Sequence, residues 1–205
     1  MGKYHDKFGI HQKVLTEASA IFKTIIEDHQ AHEDVVFEAT KNQFFLPRED
    51  PALFTRVNTF LYSDNITLED EKFGDLDWTT IISVYLFSTK WKMPRLQNKI
   101  IDITIQKQTA YPLLPGAENI NRLFKNHTDA ANLRELFLHL FCYKCDFAAA
   151  FAKGGPKYHE RFMQGLVSTF YRMKEKGTFK EPDFWARRER YYTRSVDNPV
   201  VVVDD

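Results

Sequence analysis

The 205-residue chain carries 28 Lys and Arg against 28 Asp and Glu, so its formal charge is zero and no chain-wide attraction to nucleic acid or anionic membrane is available. Hydrophobic residues make up 43% and aromatics 15%, with 18 Phe, which supplies the core of one medium domain and excludes a disordered chain. Two cysteines rule out a disulfide framework, and no apolar run approaches the ~20 residues that span a bilayer. The Met1 end, with Lys3, His5, Asp6 and Lys7, lacks the apolar run of a secretory signal, so the expected compartment is reducing, cytoplasmic or nuclear.

In chain order, Lys7 to His11 alternates apolar with polar or small residues, as a short half-buried strand does. Val14, Leu15, Ala18, Ile21, Phe22, Ile25 and Ile26 then fall on one stripe at three- and four-residue spacing, which predicts a single long helix ended by the polar run Glu27 to Asp34. Asp34 to Glu38, with Val35, Val36 and Phe37 between polar flanks, reads as a second strand. Asp50-Pro51 opens a helix, because the carboxylate caps free N–H groups and Pro tolerates the first position; Leu53, Phe54, Val57, Phe60 and Leu61 continue it. Ser63 to Asp77 is a polar loop in which Ile66 and Leu68 are placed to pair briefly as an edge strand.

Asp77 caps a helix whose buried face is Trp78, Ile81, Ile82, Tyr85 and Leu86, and Pro94 opens another bearing Leu96, Ile100, Ile101, Ile103 and Ile105. Pro112, Pro115 and Gly116 then break the pattern and mark a subdomain junction. Ile120, Leu123 and Phe124 predict a short helix, and Asp129 is placed to cap a longer one with Leu133, Leu136, Phe137, Leu140 and Phe141. Gly154-Gly155-Pro156 is a stop. Tyr158, Phe162, Leu166, Phe170 and Met173 stripe a last helix that Gly177 ends. The expected division is a core over 1–110, a C-terminal helical extension over 111–176 and a partly ordered tail over 177–205.

Phe8, Ile10, His11, Leu15, Ser19 and Phe22 together resemble the F-x-V-H-x-x-x-L-x-x-x-S-x-x-F signature of the BTB/POZ domain. Further matches follow in order. Asp50, Pro51 and Phe54 with Phe60, Leu61 and Tyr62 are similar to the family's D-P-x-x-F and helix-ending Leu-Tyr. Tyr85, Lys90, Met93, Leu96, Gln97 and Asn98 resemble its Y-x-x-A-D-K-Y-x-x-x-x-L-Q-N segment. Leu133-Arg134 after Thr128-Asp129 is similar to fungal-type members, and the likeness runs from Gly2 to Leu140. Several ordered blocks carry more weight than one short motif.

The resemblance implies an α+β fold, a small sheet flanked by a helical cluster, with no catalysis and a role in protein–protein association, as a homodimer or with another protein partner. Two departures stand out. The family carries a strand and hairpin upstream of Phe8, including an Asp that helps line a charged pocket, and Met1 leaves little room for them, so either the chain is a fragment or the first strand is lost. Exposed backbone near Phe8 and Ile10, with apolar area beside Val14, is then the expected interaction surface. Members that recruit cullin ubiquitin-ligase scaffolds carry an apolar-x-Glu motif after the first long helix, where this chain has Gln30-Ala31-His32. A substrate-adaptor role, the rival within the class, is therefore not expected.

The remaining chemical groups read as structural. Cys142-Tyr143-Lys144-Cys145 has the spacing of zinc and dithiol sites, but no further ligand pair follows and the two thiols lie on an apolar-striped helix. His29 and His32, three apart in a polar loop, read as solvated surface, and His11 as a turn-fixing residue that hydrogen-bonds backbone. Arg187, Arg188, Arg190 and Arg194 among Trp185, Tyr191 and Tyr192 would suit a nucleic-acid-associated regulator, but read as aromatics packed on the domain with arginines in water or paired to Glu189. The sequence holds neither a G-x-S-x-G elbow nor a Gly-rich phosphate loop, so no catalytic, cofactor or metal residue is expected.

Overall fold

Residues 8–28, 31–41, 43–125, 130–147, 155–178 and 180–194 are described by a computed structural model; they are mostly helical, with one small antiparallel sheet, a coarse α+β architecture. Phe8 to His11 forms no strand. No strand among the described residues pairs with it, and it is held by side chains instead, Phe8 meeting Phe54 edge-on at 5.0 Å. The single helix expected after it is two, α1 (Gln12–Ala18) and α2 (Ala20–Glu27), broken at Ser19. The Ser19 hydroxyl accepts from Phe22 N–H at 3.2 Å and donates to the Trp91 carbonyl. Two bonds at one side chain offset the lost helical turn, and Leu15 before the break and Phe22, Ile25 and Ile26 after it are all buried.

The second strand is shorter than its composition predicts. β1 (Val36–Glu38) pairs with β2 (Gln43–Phe45) in the register Val36↔Phe45, Phe37↔Phe44 and Glu38↔Gln43. On the inner face Phe37 stacks on Phe44 at 4.6 Å, and Phe44 meets Phe22 at 5.6 Å. This seats the hairpin on α2.

The Asp-Pro start behaves as its chemistry dictates: α3 (Pro51–Ser63) begins with Asp50 accepting from Ala52 N–H at 2.9 Å. No edge strand follows it. Ile66 is fully buried in a loop closed by the half-buried Arg56–Glu71 pair, in which Arg56 also donates to the Ile66 carbonyl at 3.1 Å. Arg56 holds the Glu71 carboxyl below its usual range against the opposing effect of burial. Burying Ile66 supplies more than a two-residue edge pairing would, so the loop folds inward.

α4 (Trp78–Lys90), capped by Asp77, is the central element: Val84, Phe87, Ser88 and Thr89 are buried besides the expected Ile81, Ile82 and Tyr85. It packs on α5 (Pro94–Ala110) and α6 (Ala117–Lys125). α7 (Ala131–Lys144) packs against α8 (Glu160–Glu175), and Gly177 ends that last helix at φ +62°, a left-handed position that favours glycine. Asp129 and Gly154 lie outside the described residues. Between α5 and α6, Trp78 Nε1 donates to the Leu113 carbonyl at 3.2 Å.

One hydrophobic cluster runs from Leu15 on α1 to Tyr191, with members on both sides of Ala110. Its last members, Phe184 and Tyr191, belong to a segment that folds back over α5 and α7 and ends in a 3-10 turn, Arg188–Tyr191. The stretch 180–194 of the tail therefore docks on the helices. No helix among the described residues is long and apolar enough to cross a membrane.

Candidate interaction surfaces

The residues expected to form an interaction surface are partly covered. Phe8 and Ile10 are half-buried against the core, Val14 is half-buried, and Gln30 and His29 lie outside the described residues. His32 is half-buried, its ring 5.3 Å from that of Trp91 and its Nδ1 accepting from Asp34 N–H at 3.2 Å. His11 fixes its turn differently from expectation. Its backbone N–H donates to the Tyr62 hydroxyl at 2.9 Å and its Nδ1 lies 3.0 Å from the same oxygen, so the partner is a signature side chain rather than backbone.

The exposed apolar area lies on the hairpin. Val36 is 60% exposed and Phe45 43%, and their register sets them directly opposite on the outer face. Cross-strand neighbours touch, so the two side chains form one patch. No further strand pairs with either edge among the described residues. At its base the hairpin is clamped to α4: Lys90 Nζ lies 3.0 Å from Asp34 and 2.6 Å from Glu49, Arg48 lies 2.9 Å from Asp34, and Trp91 Nε1 donates to Glu49 at 3.2 Å. The Lys90 hydrogen bond, more than Arg48, holds the Asp34 carboxyl below its usual range although burial opposes it. Burial works against the Lys90 ammonium too, yet Glu49 and Asp34 raise its pKa. The hairpin therefore projects from a fixed base.

A second feature is a cleft of about 620 Å³ between the α1–α2 break, the α4–α5 turn and the end of the docked segment. Ser19 joins the first two walls through Trp91. The turn is tight: Lys92 adopts φ +49°, uncommon outside glycine, while Met93 N–H and Gln97 Nε2 both donate to the Ser88 carbonyl at 2.8 and 3.1 Å. The third wall is set by Asn98, whose side-chain amide accepts from Thr193 N–H at 2.7 Å and donates to the Thr193 carbonyl at 3.1 Å. Gln97 and Asn132 accept from and donate to the Thr193 hydroxyl, which brings Arg194 to the cleft.

Two members of the arginine patch, Arg188 and Arg190, are taken up by the fold, with partners other than Glu189. Arg188 lies 4.6 Å over the Trp185 ring and hydrogen-bonds the Tyr192 hydroxyl, 3.5 Å from Asp102, while Arg190 reaches Glu135 at 2.8 Å. Those acids sit on α5 and α7, beyond the reach of local sequence. Tyr191 O–H pairs with His139 Nδ1 at 3.0 Å.

Cys142 is buried on α7, and Cys145 stands just past its end as the C-cap rather than within the helix, because the backbone there has turned extended. Burial pushes the Cys142 thiol up to about 12 and raises that of Cys145, so both hold their protons at neutral pH. Among the described residues no group of three His, Cys, Asp or Glu converges on a point. The roles of Ser19 and Asn98 as cross-chain joints, and strand β2, escape sequence reasoning. The chain matches no protein-family model, no curated protein and no solved structure.

Proposed function

We propose that the chain is a non-enzymatic protein–protein interaction module of the BTB/POZ type, and that it self-associates through the β1–β2 hairpin. One observation carries the association: an apolar cross-strand pair, Val36 and Phe45, faces outward on a two-stranded sheet whose base is held by ion pairs. An isolated two-stranded sheet is marginal, and a free edge seeks a further strand. Antiparallel pairing of the same edge from two copies is self-complementary, as a two-fold dimer requires.

Support for the family reading lies in what the signature residues do. His11 meets Tyr62, Ser19 bonds Trp91, and Gln97 and Asn98 hold Ser88 and Thr193, so the residues that carry the resemblance are joints between elements. The nucleic-acid rival draws little from the arginine patch, two of whose members, Arg188 and Arg190, already face Asp102 and Glu135.

Light scattering of the full chain over a concentration series tests the reading. Mass is expected to rise with concentration and to stay monomeric in a Val36→Glu, Phe45→Glu variant whose circular dichroism is unchanged. A wild-type chain that stays monomeric at the highest concentration reached, or association undiminished in the variant, overturns self-association through the hairpin.

A further inference from the structure

We propose that the cleft between the α1–α2 break, the α4–α5 turn and the docked C-terminal segment binds an acidic stretch of polypeptide. Charge is the first argument. Lys13, Lys23, Lys92 and Arg194 line the cleft against Glu17 and Glu27. Lys13 and Glu17 face each other at 3.8 Å, whereas Lys23, Lys92 and Arg194 have no ion-pair partner among the described residues. Unpaired cations of like sign around one concavity repel each other, and an anionic ligand relieves that repulsion. They come from three separate walls, α2, the α4–α5 turn and the docked segment, so the convergence is a property of the fold and not of one helix.

The second argument is geometric. Lys92 holds a left-handed backbone, a conformation that costs free energy for a non-glycine residue and is kept where the surroundings impose it. Those surroundings are the Ser19 bond to Trp91 and the two donors on the Ser88 carbonyl, which fix the turn at the floor of the cleft. Its volume of about 620 Å³ holds several side chains. One wall is already an extended chain gripped through its main-chain N–H and C=O by the Asn98 amide, which shows how this face of α5 holds a polypeptide.

The choice of a polypeptide ligand rests on the interaction-module reading; the placement of the site does not. The two surfaces are separate, since the hairpin residues Val36 and Phe45 are absent from the cleft. Partners would therefore engage the cleft while copies pair through the hairpin.

Fluorescence anisotropy of the full chain with a short labelled Asp- and Glu-rich peptide is the test, beside an Asn- and Gln-rich peptide of the same length. The acidic peptide is expected to bind, to weaken as salt rises, and to lose at least ~10-fold in affinity in a Lys23→Gln, Lys92→Asn, Arg194→Gln variant, as removal of several phosphate- or carboxylate-facing cations does. Asn tolerates the left-handed position, so the fold at residue 92 is kept, and an unchanged thermal melt checks it. Equal binding of the neutral peptide, or affinity undiminished in the variant, overturns the proposal. Binding of inorganic phosphate or duplex DNA by the same chain, without any binding of the acidic peptide, overturns the choice of ligand. The Val36→Glu, Phe45→Glu variant is expected to bind the peptide as the wild type does; loss there would move the peptide to the hairpin and equally refute the cleft.

Discussion

The N-terminal region, α1, α2 and the hairpin, is joined to the rest by buried polar groups that reach across the chain, whereas the buried hydroxyls of the α4 to α8 bundle are satisfied within single helices. Ser19 donates to Trp91, 72 residues away, and Asp34 meets Lys90. In the bundle, Ser88 and Thr89 both donate to the Tyr85 carbonyl and Thr104 to that of Ile100. A hydroxyl satisfied by its own helix does not tie that helix to another element. A hydroxyl satisfied across the chain fixes one element against another, and the N-terminal region takes its position from such joints.

The largest expected effect tests whether apolar packing nonetheless spans both regions. Phe22 on α2 is 1% exposed and stacks on Trp91 at 4.9 Å; Leu96 on α5 is fully buried. Phe22→Ala is expected to cost ~3–5 kcal/mol and Leu96→Ala ~2–5 kcal/mol in denaturant melts. A Phe22→Ala cost no larger than a neutral surface change of about 0.5 kcal/mol would mean that α2 is held by its polar joints alone.

Next in size is the joint itself. Ser19→Ala removes the α2 cap and leaves the Trp91 carbonyl without its donor in a buried site, for a combined cost of about 2 kcal/mol. Val84→Ala, a purely apolar change in α4, serves as the comparison. The Ser19 variant is expected to lose protection from hydrogen exchange over α1 and α2 before global unfolding, while the Val84 variant loses stability everywhere at once. Uniform loss in both would erase the distinction between the regions.

The same distinction explains what the sequence discloses. Helix starts at Asp50-Pro51, Asp77 and Pro94 are local chemistry, since the Asp50 and Asp77 carboxylates each accept from a backbone N–H within three residues and Pro94 takes the first helical position, and all three open helices. The stripes of α7 and α8 are local for the same reason. Nothing near Ser19 betrays the break, because the stripe continues in phase and the second partner of its hydroxyl is on another element. Strand β2 spans Gln43–Phe45, too short for alternation to register, and is defined by its pairing with β1. The cleft is least legible of all, since its walls come from α1, α2, the α4–α5 turn and Thr193-Arg194. Lys23, Lys92 and Arg194 are ordinary surface residues in sequence and converge only through Ser19 and Asn98.

The docked segment is the exception within the helical region, because polar joints hold it, and it yields the smallest and most reversible effect. Tyr191 O–H faces His139 Nδ1 at 3.0 Å. Burial first, then Arg190 and Arg172, lowers the pKa of His139 from its ordinary 6.5 against the opposing pull of Glu135, and burial pushes the Tyr191 phenol up to about 12. Both groups are therefore neutral at neutral pH, and the phenol oxygen and the ring Nδ1 share one hydrogen bond. With the folded pKa below the unfolded one, the unfolded or undocked state binds more protons as acid is added. The docking contribution is then fully present above pH 6.5 and is lost as the pH falls from there through the folded value. Thr193 N–H, bonded to Asn98, reports on docking. Its protection factor, which already divides out the intrinsic pH dependence of exchange, is expected to fall below pH 6.5 while that of Ile101 in the core of α5 stays constant. In His139→Gln the fall should vanish, and a wild-type protection factor for Thr193 that is flat across the same range would place the hold on this segment in the Asn98, Asp102 and Glu135 contacts alone.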